Sequence, residues 1–145
     1  MPRFPAQIKG NEADGYTVTF RDIPEAITQG DTLDEAKAAA VNALVTAMDF
    51  YFEDNRPVPG PSKAQRSEVL VALPPSVAAT VLLRNEIVRT NMRPVDLARA
   101  MHVRHQQVTR LLDLHHTAKI DTLADAFRAI GFDLEVRISP RTVAP

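Results

Sequence analysis

Hydrophobic side chains recur with a period of two near the start of the chain, which is typical of strands. Residues 4–9 predict a first strand, and Tyr16, Val18 and Phe20 alternate with polar residues in a second. The Asp14-Gly15 pair between them is a turn signal and predicts a hairpin. Pro24 interrupts the pattern because it cannot donate a ladder hydrogen bond, and residues 27–29 predict a brief third strand.

The period then changes to that of a long helix. Thr32 and Glu35 have the spacing of a capping box, in which the threonine hydroxyl accepts from the Glu35 amide and the carboxylate reaches back. The helix is expected to end near Asn55, before Pro57, and residues 68–73 predict a fourth strand. The apolar positions at helical spacing are Leu33, Ala36, Ala40, Leu44, Met48 and Tyr51. A β-β-β-α-β layer of this size is too thin to hold a deep catalytic cleft.

From Pro74 onward the pattern is helical. Helices are predicted over residues 77–90, 94–101, 104–112 and 120–130, the last ending at Gly131. Leu134, Val136 and Ile138 then alternate with charged residues and predict a terminal strand. The chain is therefore expected to be an α+β protein of two domains. Residues 1–66, with the fourth strand reaching about residue 73, form the first domain, and residues 74–145 form an all-helical second domain with a terminal strand.

The two short helices at 94–101 and 104–112 have complementary faces. Leu97, Ala98 and Met101 supply the inner face of the first helix, and the small Ala98 allows a steep crossing. Val108, Leu111 and Leu112 supply the inner face of the second. The outer face of the second is polar and contains no acidic residue before Asp113. Arginine, glutamine and threonine are the side chains that read base edges and phosphates.

This pair resembles the Cro/repressor class of helix-turn-helix, whose second helix enters the major groove. His102 stands where that class usually has the turn glycine, so it must adopt left-handed geometry at some strain. Pro94 replaces the usual polar residue at the first helix, so the phosphate contact there is expected from Arg93. A plain helical bundle with a solvated polar face is the alternative. The expected DNA contacts are Arg93, Arg104, His105, Gln106, Gln107, Thr109, Arg110 and Lys119.

One recognition helix reads only a few base pairs, so specificity usually requires two half-sites related by a dyad. We therefore expect a homodimer through the C-terminal domain, with a higher oligomer left open. The contact is expected at the terminal strand, through Leu134, Val136 and Ile138.

Charge is distributed unevenly along a chain whose net charge is only −1. Residues 1–76 contain seven Lys/Arg and eleven Asp/Glu, which gives −4, whereas residues 77–145 contain ten and seven, which gives +3. An acidic half and a basic half indicate two partners of opposite charge. The absence of cysteine excludes disulfides and thiolate metal sites. Zero cysteines also fit a reducing cytoplasm, and residues 1–9 lack the apolar core of a signal peptide. Since no apolar stretch is long enough to span a bilayer, we expect a cytoplasmic protein with no membrane partner.

Motifs along almost the whole chain resemble the HicB antitoxin family. They are Gly15-Tyr16 with the strand to Phe20, Asp22-Ile23-Pro24-Glu25-Ala26, Thr28-Gln29-Gly30, Glu35-Ala36, Phe50-Tyr51-Phe52-Glu53-Asp54-Asn55, Leu114-His115-His116-Thr117 and Lys119-Ile120-Asp121. The resemblance implies a partial RNase H-like N-terminal fold. It also implies a partner, a small basic HicA-type toxin that cuts mRNA with a histidine.

The acidic hairpin and its following loop are the expected toxin surface, where carboxylates mimic phosphates against a basic partner. The alternative for Asp22 and Pro24 is that they only shape a turn. The expected toxin contacts are Glu12, Asp14, Tyr16, Asp22, Ile23, Pro24 and Glu25.

Catalysis is not expected, even though an RNase H-like shape raises the question. Two-metal hydrolysis needs carboxylates that converge from adjacent strands, and the first strand has none. The histidine pairs lack metal-ligand spacing, so no metal and no cofactor are expected. The resemblance, together with the helix-turn-helix pattern, thus implies an antitoxin that neutralises its toxin and represses its own operon. A stand-alone repressor with an N-terminal ligand-sensing domain is the alternative, and a nuclease ranks far below both.

Overall fold

The computed structural model describes residues 2–141. Four strands form one antiparallel sheet in the order β3-β2-β1-β4. The strands are β1 (Arg3–Asn11), β2 (Gly15–Phe20), β3 (Ile27–Gly30) and β4 (Val69–Ala72). The helices are α1 (Leu33–Glu53), α2 (Pro75–Thr90), α3 (Pro94–Met101), α4 (His105–Leu111) and α5 (Ile120–Ala129). The predicted β-β-β-α-β order followed by helices is confirmed, with element ends differing by about one or two residues.

The β1–β2 hairpin supplies one side of the first hydrophobic core, which lies between the sheet and α1. Its register pairs Ala6 with Phe20 and Ile8 with Val18, so the alternating hydrophobic residues share the face covered by α1. The turn needs glycine at its base: Gly10 has a φ of +136°, and any side chain there would collide with the Gly15 carbonyl oxygen. The close approach at Gly10 therefore fixes the turn, and with it the register that places the alternating hydrophobic residues on the face covered by α1.

Helix α1 lies across the sheet and buries its predicted stripe, including Ala40, Leu44 and Met48. The Thr32 hydroxyl accepts from the Glu35 amide at 3.1 Å, as the capping-box spacing predicts. The Glu35 carboxylate, however, accepts from the amide of Asp31 at 3.1 Å, one residue before the expected position.

Helix α2 contributes to two cores. Its Ala78 and Val81 pack in the first core with the sheet and α1. Its Leu83 and Ile87 pack in a second core with α3, α4 and α5. The buried Asn85 amide binds the backbone of Val58, accepting from its N–H at 2.8 Å and donating to its carbonyl at 3.1 Å. The two halves of the chain are thus joined through a shared helix, and the domain boundary at residue 74 stays a prediction.

The predicted terminal strand is wrong for the single chain. Residues 132–141 form neither helix nor strand. Leu134 is partly buried against the second core, whereas Val136 is 72% and Ile138 is 93% exposed. A strand requires a neighbour to complete its backbone hydrogen bonds, and no strand of residues 2–141 pairs with this segment.

Within residues 2–141, no helix is both long and apolar enough to cross a membrane.

Candidate functional site

The α3–α4 pair forms the first candidate surface. The turn between the helices passes through His102, whose φ of 58° and ψ of 41° place it in the left-handed region. The strained geometry expected from the sequence is therefore confirmed. The His102 amide donates to the Arg99 carbonyl at 3.2 Å, and the Val103 amide to Ala98 at 3.0 Å. These bonds end α3 sharply and turn the chain into α4.

Helix α4 exposes its polar face in full. Val108 and Leu111 point into the second core. Because successive residues are about 100° apart around a helix, Gln106 lies almost opposite the mean direction of these two side chains. The Thr109 hydroxyl donates to the His105 carbonyl at 3.2 Å, so it is partly engaged by its own helix. The predicted contact residues on or beside α4 that are exposed are Arg104, His105, Gln106, Gln107, Thr109 and Arg110.

Basic residues occupy the N-cap positions of α3, α4 and α5, namely Arg93, Arg104 and Lys119. Arg93 is not free: its Nε and Nη2 each lie 3.2 Å from the Asp96 carboxylate, which also accepts from the Arg93 amide at 3.1 Å. The side-chain hydrogen bond from Arg93 lowers the pKa of Asp96. A phosphate at Arg93 would therefore compete with an internal carboxylate, whereas Arg104 and Lys119 form no ion pair within residues 2–141.

A groove of about 840 Å³ lies between α4, α5 and the end of α3. Gln107, Arg110 and Lys119 line it together with the apolar Met101 and Leu111. The predicted DNA-contact residues therefore divide into two groups. Gln107, Arg110 and Lys119 border the groove, whereas the other five do not line it; these are Arg93, Arg104, His105, Gln106 and Thr109.

The acidic hairpin tip and the loop after β2, which lie at opposite ends of β2, form the second candidate region, and only part of it is available to a partner. Glu12 and Asp14 are exposed at the hairpin tip, whereas Tyr16 is half-buried against the first core. Pro24 is exposed, but Ile23 is 0% exposed. The expectation of an Ile23 contact is therefore wrong for this conformation, because the side chain fills the core and has no surface to offer a partner.

The carboxylates of the loop also have internal partners. Asp22 accepts from the Ser62 amide at 2.7 Å and from the Ser62 hydroxyl. Glu25 accepts from the Tyr51 hydroxyl at 2.7 Å. That bond lowers the pKa of Glu25, while burial, followed by the same bond, raises the pKa of Tyr51 to about 12. The turn-shaping alternative therefore applies to Asp22, and Glu25 anchors the loop to α1 as well.

An apolar region beside this loop was missed by the sequence reasoning. Phe50 is 53% and Ile27 is 64% exposed. Both line a shallow groove of about 310 Å³ between β3 and α1, which also includes Glu25, Ala43 and Ala47. The available signal was the crowding of apolar residues at the end of α1: Met48, Tyr51 and Phe52 already fill the inward stripe, so Phe50 must face away from it.

The described part of the chain contains no cluster of side chains that could bind a metal ion. Over residues 2–141, no group of three or more His, Asp or Glu side chains could hold a metal ion. Two of the histidines lie close together in sequence after α4, but His115 contacts Asp49 of α1, with 2.5 Å between Nε2 and Oδ2.

Comparison with known proteins gives a consistent result. A family model described as "HicB_like antitoxin of bacterial toxin-antitoxin system" matches residues 3–82. Antitoxin HicB 2 of Photorhabdus laumondii is 47% identical over 134 residues, which cover 92% of this chain and 94% of the relative. Antitoxin HicB of Escherichia coli is 43% identical, covering 92% and 97%. Antitoxin HicB of Pseudomonas fluorescens is 37% identical, covering 83% of each.

The family model matches more than half of the chain, and the relatives match it over most of its length. The chain belongs to the HicB-like antitoxin family of bacterial toxin–antitoxin systems.

Proposed function

We propose that this chain is a non-enzymatic, cytoplasmic antitoxin that neutralises a HicA-type mRNA-cleaving toxin and represses its own operon by binding operator DNA. Membership of the HicB-like family is the observation that supports a toxin partner. In this proposal the sheet and α1 are a partial RNase H-like fold that binds the toxin. The α3–α4 pair is a Cro/repressor-type helix-turn-helix.

The toxin surface is assigned to the exposed parts of the acidic half. Glu12 and Asp14 at the hairpin tip and Pro24 in the loop are accessible, and Tyr16 contributes its exposed edge. The groove with Phe50 and Ile27 lies beside the same loop, is lined by Glu25, and adds an apolar area to this acidic half. Such a layout fits a basic protein partner, since charge gives attraction over distance and buried aromatic area gives affinity.

The DNA surface is assigned to α4. The central observation is that Gln106 projects away from the core, flanked by His105, Thr109 and the exposed Arg104. Glutamine pairs with adenine through two hydrogen bonds, and arginine pairs with guanine or phosphate. Gln107, Arg110 and Lys119 border the groove beside α4, and together with Arg93 they are assigned to phosphate contacts that position the protein.

Dimerisation is assigned to the segment after α5. Val136 and Ile138 are exposed apolar residues on a segment that pairs with no strand among residues 2–141. Pairing of two such segments about a dyad would satisfy their backbone groups and bury both side chains, with Leu134 connecting the contact to the second core.

The toxin assignment predicts a short, basic reading frame adjacent to the gene for this chain, and it is tested by co-expressing this chain with the product of that reading frame. The proposal predicts that the full-length chain captures that product and restores growth. It also predicts that the chain binds the DNA upstream of the gene pair in a gel-shift assay. Binding to upstream DNA with no affinity for the neighbouring product would favour the stand-alone repressor instead.

A further inference from the structure

One side chain on α2 contacts both halves of the molecule. The guanidinium carbon of Arg84 lies 4.5 Å from the centroid of the Phe52 ring, near the end of α1. Its Nη1 donates to the carbonyl of Leu112 at 3.0 Å. Leu112 is the C-cap residue of α4. Arg84 therefore connects the last turn of α1 to the end of the proposed recognition helix.

The chain that follows α4 is fixed to the same place by two more contacts. Leu114 is 2% exposed and belongs to the first core rather than the second. His115 contacts the Asp49 carboxylate, and its amide donates to the Asp113 carboxylate at 2.9 Å. The carbonyl, the apolar side chain and the imidazole of this short segment are thus held by α1 and α2.

At this position Arg84 stabilises the C-terminal end of α4. The last carbonyls of a helix have no intrahelical partner and carry the negative end of its dipole. A cation that donates to one of them stabilises the helix end. Helix α4 has only seven residues, so fixing one end limits the orientation of the whole helix. Arg84 has carboxylates nearby at Asp49, Glu53 and Asp113, although burial is the largest influence and lowers its pKa.

The last turns of α1 also border the proposed toxin surface. Phe50 lines the groove beside β3, whereas Asp49 contacts His115 and Phe52 contacts Arg84. A partner that packs on Phe50 would therefore act on the turn that holds the end of α4. We propose that Arg84 is a positioning residue that makes the orientation of α4 depend on α1 and couples toxin binding to operator binding. This inference rests on the proposed function of both surfaces.

The positioning role is tested first on the free, full-length protein by hydrogen–deuterium exchange. Arg84→Ala is compared with Arg89→Ala, a change on the same helix at an exposed arginine that pairs with Glu86 at 2.6 Å. Amides of residues 111–114 should exchange about tenfold faster in Arg84→Ala only, because local opening loses an anchor. The sheet and α5 should be unaffected. Uniform acceleration of all amides, or no change at residues 111–114, would overturn the positioning role.

The coupling is tested by measuring operator affinity with and without bound toxin. Toxin should shift the operator Kd of wild type and Arg89→Ala by on the order of fivefold or more, in the range usual for coupled sites. Arg84→Ala should lose this shift, and Arg84→Lys, which keeps the charge without the planar stack, should retain part of it. An equal shift in Arg84→Ala and wild type, or no shift in wild type, would overturn the coupling.

Asp49→Asn gives a second probe in case Arg84→Ala lowers stability, since the Asp49–His115 contact is partly exposed and its loss should reduce the shift without unfolding the chain. A shift of wild-type size in Asp49→Asn would contradict the coupling. If the wild-type chain binds neither toxin nor operator, the proposed function fails, and the exchange experiment still decides the role of Arg84.

Discussion

The hydroxyl of Tyr51 donates a hydrogen bond of 2.7 Å to the carboxylate of Glu25. Tyr51 lies on α1 and Glu25 in the loop before β3, so this bond fixes the loop on the helix. Asp22 makes a comparable attachment to Ser62 at the other end of the loop. Asp22 and Glu25, which the sequence predicts to be toxin contacts, therefore also hold the loop in the shape that a toxin would bind.

Tyr51→Phe should lower the free energy of unfolding by about 1 kcal/mol at neutral pH, since it removes one hydrogen bond to a charged group near the surface. Burial, the largest cause, and the bond to Glu25 raise the pKa of Tyr51 from 10 to about 12, so the stabilisation is complete below pH 10. It is lost as pH rises from about 10 to 12, where only the unfolded chain loses the proton readily.

Chemical denaturation of wild type and Tyr51→Phe across this range measures the effect. The stability difference between them should shrink towards pH 12. On the acidic side, the lowered pKa of Glu25 predicts a contribution that is present above its unfolded pKa and lost as pH falls through the folded value. A difference that is constant over the alkaline range would contradict the role given to the Tyr51–Glu25 bond.

Glu12→Lys should weaken toxin binding and reduce its salt sensitivity, because attraction to a basic partner becomes repulsion. This position is a cleaner test than Asp22→Lys with Glu25→Lys, which would also break the loop attachments and lower stability. Asp125→Lys on α5 is the matched control, with the same change of charge at an exposed site. Calorimetric titration at two salt concentrations measures both variants. Equal toxin affinity in wild type and Glu12→Lys would place the interface elsewhere.

Phe50→Ala should weaken toxin binding by on the order of tenfold while changing the Tm little, since an exposed aromatic residue at an interface centre contributes affinity rather than stability. Leu82→Ala on α2 is the control, because Leu82 is 48% exposed and lies outside the groove. Surface plasmon resonance with immobilised toxin compares the two. If both variants bind as tightly as wild type, the groove between β3 and α1 is not part of the contact.

Much of the fold could be predicted from local pattern, because period and capping residues determine where a helix or strand begins. The sequence predicts helix α3 with its observed ends, and the left-handed geometry of His102 follows from the resemblance to the Cro/repressor class, in which glycine usually occupies this turn position. Long-range relations could not be predicted this way. The Asp-Ile-Pro-Glu string reads as a polar turn, and only the packing shows that Ile23 fills the core. Likewise, alternation over residues 134–138 cannot reveal whether a neighbouring strand exists.

The proposed dimer predicts that wild type is dimeric at micromolar concentration and that Ile138→Asp makes the full-length protein monomeric. Ile138 is almost fully exposed in the single chain, so the change introduces a charge only where a second copy would cover it. Ile120→Asp is a control at another exposed apolar position, 54% exposed at the start of α5. Light scattering distinguishes the two species. A stable dimer in Ile138→Asp would remove this residue from the contact.

The central claim is that one chain carries two separable surfaces, and it is tested most directly by measuring operator and toxin affinity together on wild type, Gln106→Ala and Glu12→Lys. Gln106→Ala should cost on the order of 1–3 kcal/mol of operator binding and leave toxin neutralisation intact, because Gln106 points away from the core. Glu12→Lys should do the reverse. If Gln106→Ala binds the operator as tightly as wild type does, or if both variants lose both activities, the assignment of DNA to α4 and toxin to the acidic half is contradicted.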